Sequence, residues 1–142
     1  MALKRPFPVN KIKWRRGPGG GKELCYITAR DVMDRLDEVV GQFNWKTEYW
    51  HRGDRMICEL SIRLPDVEPQ PYVDEWIRKS DGAGDSNIEG EKGGISDSLK
   101  RAAVNWGIGR YLYHPNAFDS NKNPAPWATP EGFDALMEER NG

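Results

Sequence analysis

The chain has 142 residues with a formal net charge of −1, and 37% of its residues are hydrophobic. This length suits one domain with a modest core, and no apolar run is long enough to cross a membrane. The first residues also lack the apolar segment of a secretory signal, so we expect a cytoplasmic, nucleoid-associated protein of a bacterium or a phage-infected cell. Cys25 and Cys58 form no C-x-x-C pair and are expected to be small core residues in a reducing compartment.

Charge is distributed unevenly along the chain. Residues 1–22 carry seven cations and no acid, whereas residues 23–142 carry a net charge of −8. The basic segment also contains Phe7 and Trp14, and cations interleaved with aromatic rings are typical of single-strand binding. We therefore predict a basic N-terminal arm over residues 1–22 with a glycine-rich hinge. The alternative is a solvated tail, although Ile12 and Trp14 favour burial.

The first predicted elements are a short strand over Leu24–Ile27 and a helix. Thr28 and Asp31 have the spacing of a capping-box-like pair at the start of this helix, and Gly41 ends it. The helix has one apolar face, made of Val32, Met33, Leu36, Val39 and Val40.

Three strands follow, predicted over Trp45–Trp50, from Met56 to Leu64, and over Tyr72–Lys79. The second is the clearest, because apolar residues alternate with others at Met56, Cys58, Leu60, Ile62 and Leu64. A Gly/Asp-rich loop is predicted at 80–87, before a long helix. The order indicates an α+β fold, in which a curved three-stranded antiparallel meander packs against helices.

The long helix has two different faces. One face is apolar and carries Ile88, Ile95, Leu99, Ala102, Ala103 and Trp106, so we predict that Trp106 is a packing residue and not a base-stacking platform. The opposite face carries Lys100, Arg101, Gly90, Gly93 and Gly94. Because each helical glycine costs about 0.5–1 kcal/mol relative to alanine, we expect another backbone, of protein or nucleic acid, close to this face.

The remaining residues, 114–142, contain four prolines and several acids. They predict an extended, partly ordered C-terminal tail, which Trp127 and Phe133 would hold against the body or a neighbouring subunit. Residues 23–113 then form the α+β domain between the arm and this tail.

Two blocks of the sequence resemble the Rad52/Rad22 double-strand-break repair family. One block comprises Gly19–Ile27, Ala29–Gly41 and the pair Asn44-Trp45, and the other is Leu99–Tyr113 with the sequence LKRAAVNWGIGRYLY. The resemblance covers roughly residues 12–113 and is closer to the phage and bacterial branch, the Sak-type annealing proteins and DdrA-like proteins. It implies the same α+β arrangement.

The resemblance also implies a groove for single-stranded DNA, which Lys100 and Arg101 would line. Three positions depart from the family pattern: Val104 and Asp31 replace arginines, with Arg30 beside the latter, and Gln42 replaces a tyrosine. The DNA-binding residues we expect from charge and resemblance together are Lys100, Arg101, Arg30, Lys92, Arg110, Lys22, Arg15, Arg16 and Lys13. From the residues alone, an intrahelical ion pair between Asp97 and Arg101 is an equally ordinary explanation.

Other site types have weak support. The glycines before Lys22 do not match a P-loop, because Arg16 and Glu23 occupy the positions of its first glycine and its Ser/Thr. His51 and His114 have no Cys or His at zinc-ligand spacing. A metal nuclease needs converging carboxylates, and the acids grouped on the first helix are more typical of a solvated face. We expect no metal, no other cofactor and no catalytic residue.

The sequence therefore predicts a homo-oligomeric ring or arc that binds single-stranded DNA and anneals complementary strands in recombination or repair. Two alternatives stay open. One is a DNA-end protector that binds single strands without annealing, and the other is an adaptor that recruits a single-strand-binding protein or another recombination protein through its acidic tail. No membrane partner is expected.

Overall fold

The computed structural model describes residues 2–64, 75–84 and 90–141, with side chains throughout except at positions 18 and 90–93. An antiparallel hairpin and an antiparallel three-stranded sheet combine with helices, which confirms the predicted α+β class. No helix in these ranges has the length and apolar character needed to cross a membrane. The elements in chain order are β1 (Lys13–Arg16), β2 (Glu23–Tyr26), α1 (Ala29–Val39), β3 (Trp45–Arg52), β4 (Arg55–Arg63), β5 (Trp76–Ala83), α2 (Gly90–Val104) and α3 (Pro130–Asn141).

The chain divides into two compact units. The central unit is Thr28–Ile108, and the terminal unit joins Met1–Ile27 to Gly109–Gly142. The segments predicted from the sequence were defined by charge and composition, whereas these two units are defined by contacts between residues. In the structure, the basic N-terminal residues and the proline-rich C-terminal residues belong to the same unit.

In the central unit, α1 begins with the predicted capping box. Thr28 Oγ1 accepts a hydrogen bond from the Asp31 backbone at 3.2 Å, and the Asp31 carboxylate accepts one from the Thr28 backbone at 3.0 Å. The pair satisfies two backbone donors that a helix start otherwise leaves unbonded. Val32 and Leu36 are buried as predicted, and Gly41, with φ of 89°, follows the end of the helix.

The three strands of the central unit form an antiparallel sheet in the order β3-β4-β5. The alternation predicted for β4 is confirmed, since its buried residues on one face are Met56, Cys58, Leu60 and Ile62. The prediction for Leu64 is wrong, because it lies beyond the strand and is 42% exposed.

Strand β5 is shifted relative to its prediction. The expected strand ended at Lys79, but pairing with β4 continues through Ser80, Asp81 and Gly82 to Ala83. Tyr72 lies outside the described residues. Ser80, Asp81 and Gly82 are typical of a loop, yet they pair with β4. Gly82 leaves room for the Ile57 side chain, since a Cβ at position 82 would lie 2.6 Å from Ile57 Cδ1. Packing against β4 therefore outweighs local composition.

Helix α2 packs on β4 and β5 through small residues. The prediction that Ile95 is buried is wrong, since it is 41% exposed, and Ile88 lies outside the described residues. A Cβ at Gly94 would lie only 3.3 Å from Met56 Cβ, so what approaches this glycine is a side chain of the protein's own strand β4 and not a second backbone. The side chains that α2 buries are Ser98, Leu99, Ala102 and Ala103.

The terminal unit contains elements that the sequence did not predict. Residues 13–16 form strand β1 and pair with β2, and the expected extended tail ends instead in helix α3. Trp14 meets Phe118 edge to face with ring centroids 5.2 Å apart, and His114 meets Trp127 in the same way at 5.0 Å. These aromatic contacts supply the packing that a short proline-rich segment needs to become ordered.

Candidate nucleic-acid interface

Lys100 and Arg101 lie in the second half of α2, on the helix that the sheet fixes in place. Arg101 is exposed, and no described side chain forms a hydrogen bond or ion pair with it. The Lys100 side chain is 21% exposed, and its Nζ lies 3.9 Å from the Asp97 carboxylate. Asp97 thus faces Lys100, three residues away, rather than Arg101. At this distance the Lys100–Asp97 pair is weak.

Arg30 is the second cation of the central unit that we expected at the site. It is exposed in the first turn of α1, and α1 packs against α2. The helix dipole does not stabilise a cation at a helix N-terminus, so the stability of α1 does not explain why position 30 is an arginine. Lys92 also lies in α2, eight residues before Lys100, with its side chain outside the described set.

The residues after α2 fasten the helix to the sheet. Trp106 Nε1 donates a hydrogen bond to the Leu60 carbonyl at 3.1 Å, and Lys79 Nζ lies 4.8 Å from the Trp106 ring centroid. Lys79 also donates to the Asn105 carbonyl at 3.1 Å. Trp106 is half-buried. These contacts support its interpretation as a packing residue that holds the cationic helix on the sheet.

The terminal unit presents a second group of cations on its hairpin. Lys13 and Arg15 share one face of β1 with their β2 partners Tyr26 and Leu24, and the Arg15 guanidinium carbon lies 5.4 Å from the Tyr26 ring centroid. Leu24 is 45% exposed. The hairpin therefore offers cations beside an aromatic ring, a combination suited to single strands. The exposed cations predicted for the site in this unit are Lys13, Arg15, Arg16, Lys22 and Arg110.

The aromatic residues interleaved with the N-terminal cations, Phe7 and Trp14, pack within the terminal unit. Phe7 is 5% exposed, and its backbone N–H donates to the Tyr111 hydroxyl at 2.9 Å. Trp14 is half-buried against Phe118. The expectation for Ile12 is confirmed, since it is buried. A hairpin could have been predicted from two short runs on either side of a Gly-rich turn, and it would have identified Tyr26 as the aromatic residue of this face.

The structure raises the pKa of both cysteines and of one tyrosine. Burial raises the pKa of the Cys58 thiol to about 11 and that of the adjacent Tyr49 hydroxyl to about 12, so both groups stay protonated. Burial also raises the pKa of Cys25, which donates to the Leu112 carbonyl. Among the described residues, no group of three or more His, Cys, Asp or Glu is placed to hold a metal ion. Asp37 instead accepts a hydrogen bond from Trp45 Nε1 at 2.8 Å.

Comparison with known proteins identifies a matching family profile and similar proteins. A family profile described as "Rad52/22 family double-strand break repair protein" matches residues 1–127. The chain is 34% identical over 117 residues to the single-stranded DNA-binding protein DdrA of Deinococcus deserti. The aligned region covers 78% of this chain and 54% of that protein. It is 31% identical over 131 residues to the protein of the same name from Deinococcus radiodurans, covering 88% and 57% respectively. The chain thus spans a little over half the length of these relatives.

Proposed function

We propose, since this chain belongs to the Rad52/22 family of double-strand break repair proteins, that it binds single-stranded DNA and anneals complementary strands during recombination or repair. The observation that carries the proposal is Arg101 of α2, an exposed cation that no described side chain contacts by a hydrogen bond or ion pair. The relatives named as single-stranded DNA-binding proteins support the choice of ligand.

In this mechanism the protein holds the strand by its phosphates. Lys100, Arg101 and Arg30 would neutralise phosphates and leave the bases free to pair, because backbone contacts fix a strand without reading its sequence. Annealing needs no cofactor and no catalytic residue, since base pairing itself supplies the free energy. We propose that several copies of the chain assemble, so that their α2 helices extend the cationic surface along one strand.

The hairpin of the terminal unit has a different role in the proposal. Lys13, Arg15 and Arg16 are exposed cations on a short, packed element, and they would attract the incoming complementary strand. Deleting residues 1–16 is unsuited to test this, because the deletion removes β1 and the buried residues Phe7 and Ile12. Point substitutions in β1 keep the hairpin and remove only its charge.

Protection of DNA ends without annealing is the second candidate function. It is favoured by the names of the two relatives, which state single-strand binding and nothing more. The adaptor alternative has less support, because residues 130–141 form a helix of the terminal unit instead of a free tail.

An annealing assay with complementary oligonucleotides separates these functions. We expect the wild-type chain to accelerate annealing, Lys100→Ala with Arg101→Ala to lose both binding and annealing, and Lys13→Ala with Arg15→Ala to anneal more slowly at nearly unchanged single-strand affinity. Tight binding of single strands without acceleration would favour end protection. Absence of single-strand binding by the wild-type chain at low salt would refute both.

A further inference from the structure

The loop between α1 and β3 carries a phenylalanine that packing does not explain. Phe43 is 77% exposed. Its backbone is nevertheless fixed, because Arg63 Nη2 donates to the Phe43 carbonyl at 3.3 Å and Arg63 Nε donates to Asn44 Oδ1 at 3.2 Å. Asn44 in turn donates from its side chain to the Val40 carbonyl at 2.7 Å. The ring is thus presented to solvent from a rigid support.

Cations lie beside this loop. The Arg63 guanidinium carbon lies 5.0 Å from the Trp76 ring centroid, and Lys46 Nζ lies 4.4 Å from the same centroid. Trp76 therefore makes cation–π contacts with both Lys46 and Arg63, and Arg63 also contacts the Phe43 loop. Glu75 lies 3.9 Å from Arg63 and offsets part of its charge, whereas Lys46 is exposed.

Lys46, Arg63 and Trp76 lie on the side of the sheet away from α2. Helix α2 and the segment after it contact Met56 and Leu60 of β4. Successive residues of a strand point to opposite faces, and Arg63 has the opposite parity to those two. Its neighbour Trp76 lies directly across on β5. Arg63 and Trp76 therefore lie on the face of the sheet opposite to α2, the helix that carries Lys100 and Arg101.

We propose that Phe43, Lys46 and Arg63 form a second contact for single-stranded DNA, in which the Phe43 ring stacks on an unpaired base, Lys46 contacts a neighbouring phosphate and Arg63 holds the Phe43 loop in place. The proposal rests on the proposed function and adds a contact on the other side of the sheet. A solvent-facing ring stacks only on bases that are not already stacked in a duplex, so the ligand is a single strand. The adjacent positive charge fits a phosphate backbone better than an apolar partner surface.

Substitution of Phe43 tests the stacking contact. Phe43→Ala and Phe43→Leu should each weaken binding of an oligothymidine by about five-fold or more, while Phe43→Tyr should retain it. Because stacking involves no ion release, the slope of log K against log salt should stay unchanged for all three. Lys46→Ala should instead make that slope shallower. Tyr113→Ala is the matched control, since this tyrosine is also largely exposed, at 71%, but lies in the terminal unit.

A backbone without bases gives the decisive comparison. On an abasic oligonucleotide of equal length, Phe43→Ala and wild type should bind equally, whereas an equal loss on both ligands would overturn the stacking role. Unchanged affinity of Phe43→Ala for oligothymidine would overturn it too. A change in oligomer mass by light scattering without DNA would assign Phe43 to contact with a second copy of the chain. If the wild-type chain binds single strands but the results for the Phe43 variants contradict the expectation, this second contact is wrong and the proposed α2 site is unaffected. If wild type does not bind single strands, both fail together.

Discussion

The Asp134 carboxylate in α3 accepts two hydrogen bonds from the Arg5 guanidinium, at 3.0 Å and 2.8 Å, across 129 positions of the chain. This two-point geometry is the one in which arginine and carboxylate match best. It joins the basic beginning of the chain to its acidic last helix within the terminal unit. The charge asymmetry of the sequence therefore serves, in part, to hold this unit together.

The Arg5–Asp134 contact predicts a response to acid. The Arg5 guanidinium lowers the pKa of Asp134 from its ordinary value of 3.8, so the stabilising contribution is present above that value and is lost as pH falls through the lowered folded pKa. Thermal unfolding followed between about pH 6 and about pH 3 should therefore show a smaller acid-induced drop in Tm for Asp134→Asn than for wild type. Glu138→Gln, an exposed acid of the same helix, is the control. Identical acid profiles for wild type and Asp134→Asn would contradict the prediction.

The cations of α2 give a prediction about salt dependence. Lys100→Ala with Arg101→Ala should stay folded and lose single-strand affinity, because both residues are assigned to phosphates. Removing two phosphate contacts should reduce the slope of log K against log salt by about 1.4 for a single strand. Fluorescence anisotropy over a salt series measures both quantities. The control is Lys4→Ala with Arg140→Ala, which removes equal charge from exposed positions elsewhere. If the control weakens binding as much, net charge rather than the α2 face governs affinity.

Trp106 is predicted to matter for stability. Trp106→Ala removes a large ring packed on the sheet together with the hydrogen bond to the Leu60 carbonyl, and should lower the free energy of unfolding by about 3 kcal/mol. Trp106→Phe keeps most of the packing and should cost less. Chemical denaturation measures both. A Trp106→Ala variant of full stability with weak DNA binding would reverse the assignment and make Trp106 a stacking residue.

Gly132 tests whether packing or helix propensity dominates in α3. A Cβ there would lie 1.8 Å from the Pro126 carbonyl oxygen, so Gly132→Ala should destabilise the protein by about 1–3 kcal/mol. Helix propensity alone predicts the opposite sign, a gain of about 0.5–1 kcal/mol. Gly84→Ala is the control for a glycine substitution without a clash, because no atom of the described residues lies within 4 Å of its added Cβ. A higher Tm for Gly132→Ala would show that α3 sits farther from Pro126.

The sequence predicts best those features that depend on local chemistry or strict periodicity. The Thr28–Asp31 capping box needs only residues three positions apart, and the burial of Cys58 and Leu60 follows from alternation in a strand. Strand β5 and the buried face of α2 depend instead on pairing and close approach across the sheet. Gly94 and Ser98 carry no hydrophobic signal, so their burial is visible only once β4 is in place.

The candidate site divides in the same way. Lys100 and Arg101 lie on a helix that its apolar periodicity predicts, and the resemblance to the Rad52/Rad22 family implies their role. Phe43 is a single aromatic residue in a loop, and no periodicity distinguishes it from a core residue. Its exposure depends on hydrogen bonds from Arg63, twenty residues later, which no local pattern indicates.

The terminal unit is assembled from two segments that synthesis makes at different times. All of residues 28–108 emerge from the ribosome before Gly109, so the partners of Arg5 and Trp14 are made only after the whole central unit. Until then, the Phe7 backbone N–H lacks the Tyr111 hydroxyl to which it donates a hydrogen bond. Because closing so long a loop is slow, completion of the terminal unit should be a late step in folding. A nascent chain therefore displays its basic hairpin segment to nucleic acid, or to chaperones, before that segment has a finished structure around it.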